Sequence, residues 1–214
     1  MKTKIAGQDV LLLPEKAVWI ETEKILLMAD VHMGKVEHFR KSGIAIPHHA
    51  ANKTQERLES LIKKLEPSHV IFLGDLFHSI KNNSFDQFKT MIARYFNTEF
   101  HLVIGNHDIM PTMAYQELNL KIYEEMVLGK LWLTHEPQDE IKDGLYNLAG
   151  HIHPGIKLTG KARQTITLPC FYFGPNRGLL PAFGYFTGKS LIKIEKNSDT
   201  FAIAEDKIFY INNL

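Results

Sequence analysis

The chain has 214 residues, and 25 Lys and Arg nearly balance 24 Asp and Glu, leaving a formal charge of +1. That balance excludes the strong positive field of a dedicated nucleic-acid coat protein, while a local basic groove stays compatible with it. Hydrophobic residues make up 44% and Cys170 is the only cysteine, so a sizeable core is available and an internal disulfide is excluded.

No stretch approaches the roughly 18 apolar residues of a membrane span. The opening apolar run is broken by Pro14 and Glu15 before it reaches the length of a secretory signal. A cytoplasmic protein without a membrane segment is the expectation.

In chain order, Lys24–Ala29 reads as a buried strand. A helix is predicted over His48–Leu65, with Leu58, Leu61, Ile62 and Leu65 at helical spacing and Pro67 closing it. His69–Leu73 is the next strand. Ser84 is positioned to cap a second helix that carries Phe85, Phe88, Met91, Ile92 and Tyr95 on one face. Strands follow at Phe100–Ile104 and Lys130–Thr134, then a short apolar run over Leu145–Gly150. The steps from Asp75 to Asn106 and from Asn106 to His135 both have the length of a strand–helix–strand unit, about 30 residues. From Arg163 onward the pattern is turns and strands. The expectation is an α/β chain, one domain over 1–214, whose second half is richer in antiparallel strands.

The residues that end these apolar runs are Asp30, Asp75, Asn106 and His135, and His151 follows the run at 145–150. Each offers a metal-ligating N or O atom where a strand meets its loop, the place where α/β sheets build sites. Asp30-Val31-His32 puts two donors on alternate residues, and Gly74-Asp75 lets the backbone turn sharply before the acid. In Gly105-Asn106-His107-Asp108, Asn106 offers a neutral oxygen, His107 a proton, and Asp108 a carboxylate able to orient that imidazole. Gly150-His151-Ile152-His153 reads as a metal-binding hook. Taken singly, most of these blocks are equally at home in capped turns or around satisfied core histidines. His48, His49, His69 and His101 are expected to be structural or exposed, and His78 to lie behind the site.

Taken together, the ordered set D-x-H, G-D, G-N-H-D, H and G-H-x-H resembles the calcineurin-like metallophosphoesterase superfamily. That resemblance implies an αββα sandwich of two mixed sheets flanked by helices. It implies that Asp30, His32, Asp75 and His153 hold one divalent ion, and that Asp75, Asn106, His135 and His151 hold a second, with Asp75 bridging. It makes His107 the catalytic acid and Asp108 its orienting partner. Two such ions about 3.5–4 Å apart activate a water for in-line attack on phosphorus and clamp the phosphoryl oxygens. The mixed N and O shell suits several first-row metals, and the resemblance favours manganese.

A narrower likeness runs over nearly the whole chain. Ala29–Lys35 with His38–Ile44, Leu13–Ala17, and Leu180–Gly184 with Phe186-Thr187-Gly188 resemble the bacterial DNA ligase-associated phosphoesterases, departing from them at Lys189, where a glycine is common. This likeness implies a manganese-dependent phosphodiesterase or DNA endonuclease working with a ligase, a nuclease and a helicase in repair. Lys35 and Arg40 are the candidate phosphate contacts. Lys41 beside them is a third cation able to clamp a flanking phosphate, Lys157, Lys161 and Arg163 are candidate rim cations, and Phe171, Tyr172 and Phe173 are candidate stacking residues or core. The rivals are a small-molecule diesterase acting on cyclic nucleotides, with the same metal centre, and a non-catalytic scaffold on the same fold.

Overall fold

A computed structural model describes residues 1–41, 43, 52–77, 83–160 and 163–211. The expectations for Ile44–Pro47, His48, His49, His78 and Lys161 lie outside the described residues, as do the side chains of His38 and Lys41.

The first sheet begins with strands not foreseen from the sequence: β1 (Lys2–Ile5), β2 (Gln8–Leu13) and β3 (Ala17–Ile20). It continues through β4 (Ile25–Ala29), β5 (His69–Leu73), β6 (Glu99–Val103) and β7 (Leu120–Tyr123). These seven strands lie in chain order, antiparallel as far as β4 and parallel from β4 to β7. All five residues of β4 are buried, which is why this strand reads as a continuous apolar run rather than an alternating one.

The second sheet holds β8 (Met126–Leu128), β9 (Leu131–Leu133), β10 (Tyr146–Ala149), β11 (Pro154–Thr159), β12 (Thr165–Phe173) and β13 (Arg177–Leu179). It is completed by β14 (Ser190–Leu191), β15 (Asp199–Ala204) and β16 (Lys207–Ile211). β9, β10 and β13 run parallel, and most of the remaining pairs are antiparallel. Both sheets are therefore mixed, as expected, and the second half is strand-rich.

Four helices are described: α1 (Lys35–Lys41), α2 (Lys53–Leu65), α3 (Asn83–Ile92) and α4 (Thr112–Gln116). Leu58, Leu61 and Ile62 of α2 and Phe85, Phe88 and Met91 of α3 pack with Leu26, Met28, Val70, Phe72, Phe100 and Leu102 on one face of the first sheet. The other face, with Leu27, Ile71, Leu73 and Val103, packs against Leu133, Leu148, Phe171, Phe173, Phe201 and Ile203 of the second sheet. The outer face of the second sheet has a smaller cluster, Ile156, Cys170 and Ala202 beneath Ile192, Ile194 and Ile211, to which no described helix contributes.

Two local expectations change. Ser84 is the second residue of α3, which starts at Asn83, and its side chain is buried inside the first turn. The step from Asn106 to His135 is not one strand–helix–strand unit. It holds α4 and β7, which complete the first sheet, and then β8 and β9, which open the second. α2 ends at Leu65 as predicted. Glu66 takes a left-handed conformation, with its N–H donating to the Ile62 carbonyl, because the residue before a proline is driven out of the helical region.

Candidate metal centre

The carboxyl ends of β4, β5 and β6 in one sheet, and of β9 and β10 in the other, open onto the same place. Beyond β4 and β5 the chains stay paired: Asp30 N–H donates to the Gly74 carbonyl, His32 N–H to Asp75, and Met33 N–H to Leu76. Asp30, His32, Asp75 and His135 are buried and form the floor, while Asn106, His107 and His151 are exposed at the rim and His153 is half-buried.

On one side of the floor, His153 Nε2 lies 3.4 Å from Asp30 Oδ1, and His32 Nε2 lies 3.6 Å from Asp75 Oδ2. The His32 and His153 rings meet edge to face at 5.4 Å. On the other side, three acceptor atoms converge. Asn106 Oδ1 is 2.9 Å from His135 Nε2 and 3.0 Å from His151 Nδ1, and those two nitrogens are 3.2 Å apart. Asp75 Oδ1 lies 3.4 Å from His135 Nε2. His135 Nδ1 faces the Leu73 carbonyl at 3.0 Å, so that nitrogen carries the proton and Nε2 presents its lone pair inward. Ligands held about 2.0–2.2 Å from one cation stand roughly 3.0–3.5 Å apart. Lone pairs brought together at these separations repel one another unless a cation lies among them, so the donor set fits divalent metal. Asp30, His32 and His153, and Asp30, Asp75 and His135, are both compact enough to share an ion.

The loops are interlocked by the candidate ligands themselves. His151 N–H donates to both oxygens of Asp30, at 3.1 and 3.0 Å, and His107 N–H donates to Asp75 Oδ1 at 2.9 Å. Glycine is required where these loops cross: a Cβ on Gly105 would sit 2.4 Å from Asp75 Oδ1, and one on Gly150 would sit 2.7 Å from Asp30 Oδ2.

Asp108 is buried, next to His107 in the turn after β6. Its carboxylate accepts from the N–H groups of Asp75 (2.8 Å), Leu76 (3.0 Å) and Gly105 (2.9 Å), bracing the loop after β5 against the loop after β6. Burial pushes its carboxyl up to about 6, against the pull of those backbone donors. Lys35 opens α1 beside the floor. Burial pushes its ammonium pKa down, while Asp75 and Asp30 act in the opposite sense, so it lies within the field of both carboxylates. Arg40 lies five residues further along α1, about 7.5 Å at 1.5 Å per residue.

The segment Ala182–Gly184 completes the wall. Phe183 N–H donates to the Ala29 carbonyl and Gly184 N–H to Asp30, while a Cβ on Gly184 would lie 2.7 Å from the Val31 carbonyl. Its Leu-Pro-Ala-Phe-Gly sequence marks it as unusual, but nothing local in it points to Asp30. Phe171 and Phe173 are buried between the sheets and Tyr172 is buried too, which removes all three as stacking residues.

Two acids, an amide and four histidines gathered at parallel strand ends of a two-sheet α/β fold define a metal-dependent phosphoesterase. The chain belongs to the calcineurin-like phosphoesterase family, whose pattern matches residues 23–185. Among solved structures it resembles the crystal structure of Pseudomonas putida nuclease MPE, at 28% identity and a TM-score of 0.81 over 99% of both chains. Among curated proteins, none matches the chain by sequence. No helix among the described residues is long and apolar enough to cross a membrane.

Proposed function

We propose that this protein, as one domain over 1–214, is a phosphodiesterase that uses two divalent ions, with manganese the favoured pair, to cut DNA during repair and ligation. The observation that carries the reading is the likeness to a nuclease over 99% of both chains, joined to an uninterrupted set of ligand residues in this one. Asp30, His32, Asp75 and His153 would hold one ion, and Asp75, Asn106, His135 and His151 the other. When bound, the ions supply an activated water and neutralise charge on the phosphoryl oxygens.

The chain's own groups do the rest. His107 is exposed at the rim, its backbone tied to Asp75, and its ring stands 5.6 Å from His32. A protonated His107 is placed to give its proton to the departing oxygen. Asp108 positions it indirectly, by bracing the turn at Gly105. Lys35 holds the flanking phosphate, with Arg40 further out on α1. A DNA ligase, a nuclease and a helicase are the expected partners, in the cytoplasm.

The test compares bis-p-nitrophenyl phosphate with p-nitrophenyl phosphate, then a nicked or single-stranded oligonucleotide, on metal-stripped protein with and without manganese. Manganese-dependent diesterase activity is expected, with His107→Ala retaining metal and losing about 10²–10⁴-fold in rate on poor leaving groups. A monoester preference, or cyclic nucleotide cleaved in place of DNA, would overturn the substrate assignment. Unchanged kinetics in His107→Ala would remove it as the acid.

A further inference from the structure

A second cluster of ligating side chains lies at the far end of the same sheet. His69 opens β5, and Glu99 and His101 lie on β6, with His69 paired to Glu99 and Ile71 to His101. Registered partners on parallel strands point to one side, as do residues two apart. All three side chains therefore share the face on which Ile71, Leu73 and Val103 pack against the second sheet. The six residues from His69 to Asp75 span roughly 20 Å at 3.3 Å each, so this cluster stands apart from the metal centre above.

His69 Nδ1 is 3.1 Å from His101 Nε2, and Glu99 Oε2 is 3.5 and 3.7 Å from those nitrogens. Donors bound to one tetrahedral ion stand about 3.3–3.5 Å apart, close to all three separations. The His101 side chain is only 9% exposed, and its Nδ1 faces the Tyr123 hydroxyl at 3.4 Å. A proton held on Nδ1 by that oxygen leaves the Nε2 lone pair aimed at His69 and Glu99, as an outer partner orients a ligating imidazole. Burial also lowers the proton affinity of His101, with His69 adding to the effect, and neutral imidazole is the form that binds metal.

We propose that His69, Glu99 and His101 form a site for one divalent transition ion of the zinc type, separate from the catalytic centre. Two imidazoles and a carboxylate suit zinc, cobalt or nickel over magnesium or calcium, and water fills the remaining position. Without the ion, neutral His69 donates its Nδ1 proton to His101 Nε2 across the 3.1 Å contact; with the ion bound, that proton sits on His69 Nε2 and Nδ1 presents its lone pair to the metal. Lys121 opposes binding. Its Nζ is 2.8 Å from the same Glu99 oxygen, and it is half-exposed and free to swing away, so this site binds more weakly than the same three ligands would without it.

The test is equilibrium dialysis of the metal-stripped full-length protein against cobalt(II), with a visible spectrum of the bound ion. Wild type is expected to bind one equivalent more than His69→Ala, whose half-exposed position tolerates truncation. Glu99→Gln is expected to weaken that equivalent by about tenfold or more, since even outer-shell partners are worth 10–100-fold. Lys121→Gln is expected to tighten it. Manganese-saturated phosphoesterase activity should be the same in all four proteins. Equal cobalt binding by wild type and His69→Ala, or an affinity untouched by both Glu99→Gln and Lys121→Gln, overturns the site.

Discussion

Gly74→Ala isolates how the second ion is held. Gly74 sits at φ +75°, and a Cβ built there falls 2.0 Å from His135 Nδ1, 2.3 Å from its Cγ and 2.8 Å from its Cβ. Real contacts of this kind essentially never come under 3.0 Å. The ring must therefore shift by about 1 Å or more, and the shift breaks its 3.0 Å link to the Leu73 carbonyl. Metal–ligand distances hold to about ±0.2 Å, and a 1 Å misplacement of a supporting group costs about 100-fold in rate. The variant is expected to fold, to retain one manganese in place of two after dialysis, and to lose about 100-fold or more in kcat on bis-p-nitrophenyl phosphate. The left-handed backbone adds roughly 1–2 kcal/mol of strain to any alanine there. Gly144→Ala controls for that strain, because Gly144 has φ +71° with nothing within 4 Å of its Cβ. The reasoning is refuted if Gly74→Ala keeps both ions and its rate, or if Gly144→Ala loses as much.

Asp75→Asn removes charge from a residue that faces both His32 and His135 across the floor; loss of both ions and of turnover is expected, by metal analysis and diesterase assay, and near-normal activity sinks the shared-ligand assignment. Asp108→Ala strands three backbone N–H donors at about 1–3 kcal/mol each. Relief by water should leave a net loss of about 3 kcal/mol, or roughly 6–12 °C in Tm for a chain of this size. An unchanged melt would show that the brace is idle. Lys16 is the remaining strongly perturbed cation. Burial first, then Arg57 and Lys189, push it down to about 8 from 10.5. Its folded pKa lies below its unfolded one, so the unfolded chain binds the proton more tightly, and stability rises as pH climbs from about 8 to about 10.5, by up to about 3 kcal/mol. Lys16→Met should flatten that rise in urea titrations and stabilise the protein at pH 7 by up to the same amount. Identical pH slopes for the two proteins would contradict it.

What the sequence disclosed follows from which contacts are local. β5 coincides with the predicted run, and β4, β6 and β9 differ from theirs by single residues at their ends, because strands covered on both faces are written as unbroken apolar runs. β1, β2 and β3 were not legible as strands, because Gly7, Pro14 and Glu15 break the stretch into pieces that read as turns. The stretch between Asn106 and His135 misled because length alone does not separate a crossover helix from a five-residue helix with three short strands. In the centre, Asp30 with His32 and His151 with His153 were legible as alternating donors. The brace from Asp108 to Asp75 spans 33 residues, and the docking of Gly184 on Asp30 spans many more. Neither leaves a periodic trace, because one glycine or one acid in a turn looks the same whatever it meets.

The backbone of the centre carries a cost that its side chains must offset. Asp30, His32, Asp75, His151 and His153 all adopt positive φ, between 48° and 63°. For a residue with a Cβ each such conformation costs of order 1–3 kcal/mol, so five together approach the whole stability of an ordinary protein, about 5–15 kcal/mol. The left-handed turn has a geometric reason. A strand that keeps its extended course carries its next side chain away along the sheet, whereas one left-handed residue folds the chain back and holds the carboxylate or imidazole over the strand end. The strain persists because the loops lock one another: Asp30 binds the backbone of His151, Asp75 that of His107, and Asp108 that of Asp75. Each acid is a backbone acceptor, and Asp30 and Asp75 are candidate metal ligands as well, so replacing one disturbs several positions together and such substitutions will not add independently. Divalent ions at the proposed centre would complete the same arrangement, drawing together carboxylates and lone pairs that otherwise repel. The strained conformation and the metal affinity are thus two consequences of one construction, in which backbone strain at the strand ends buys the convergence of donors.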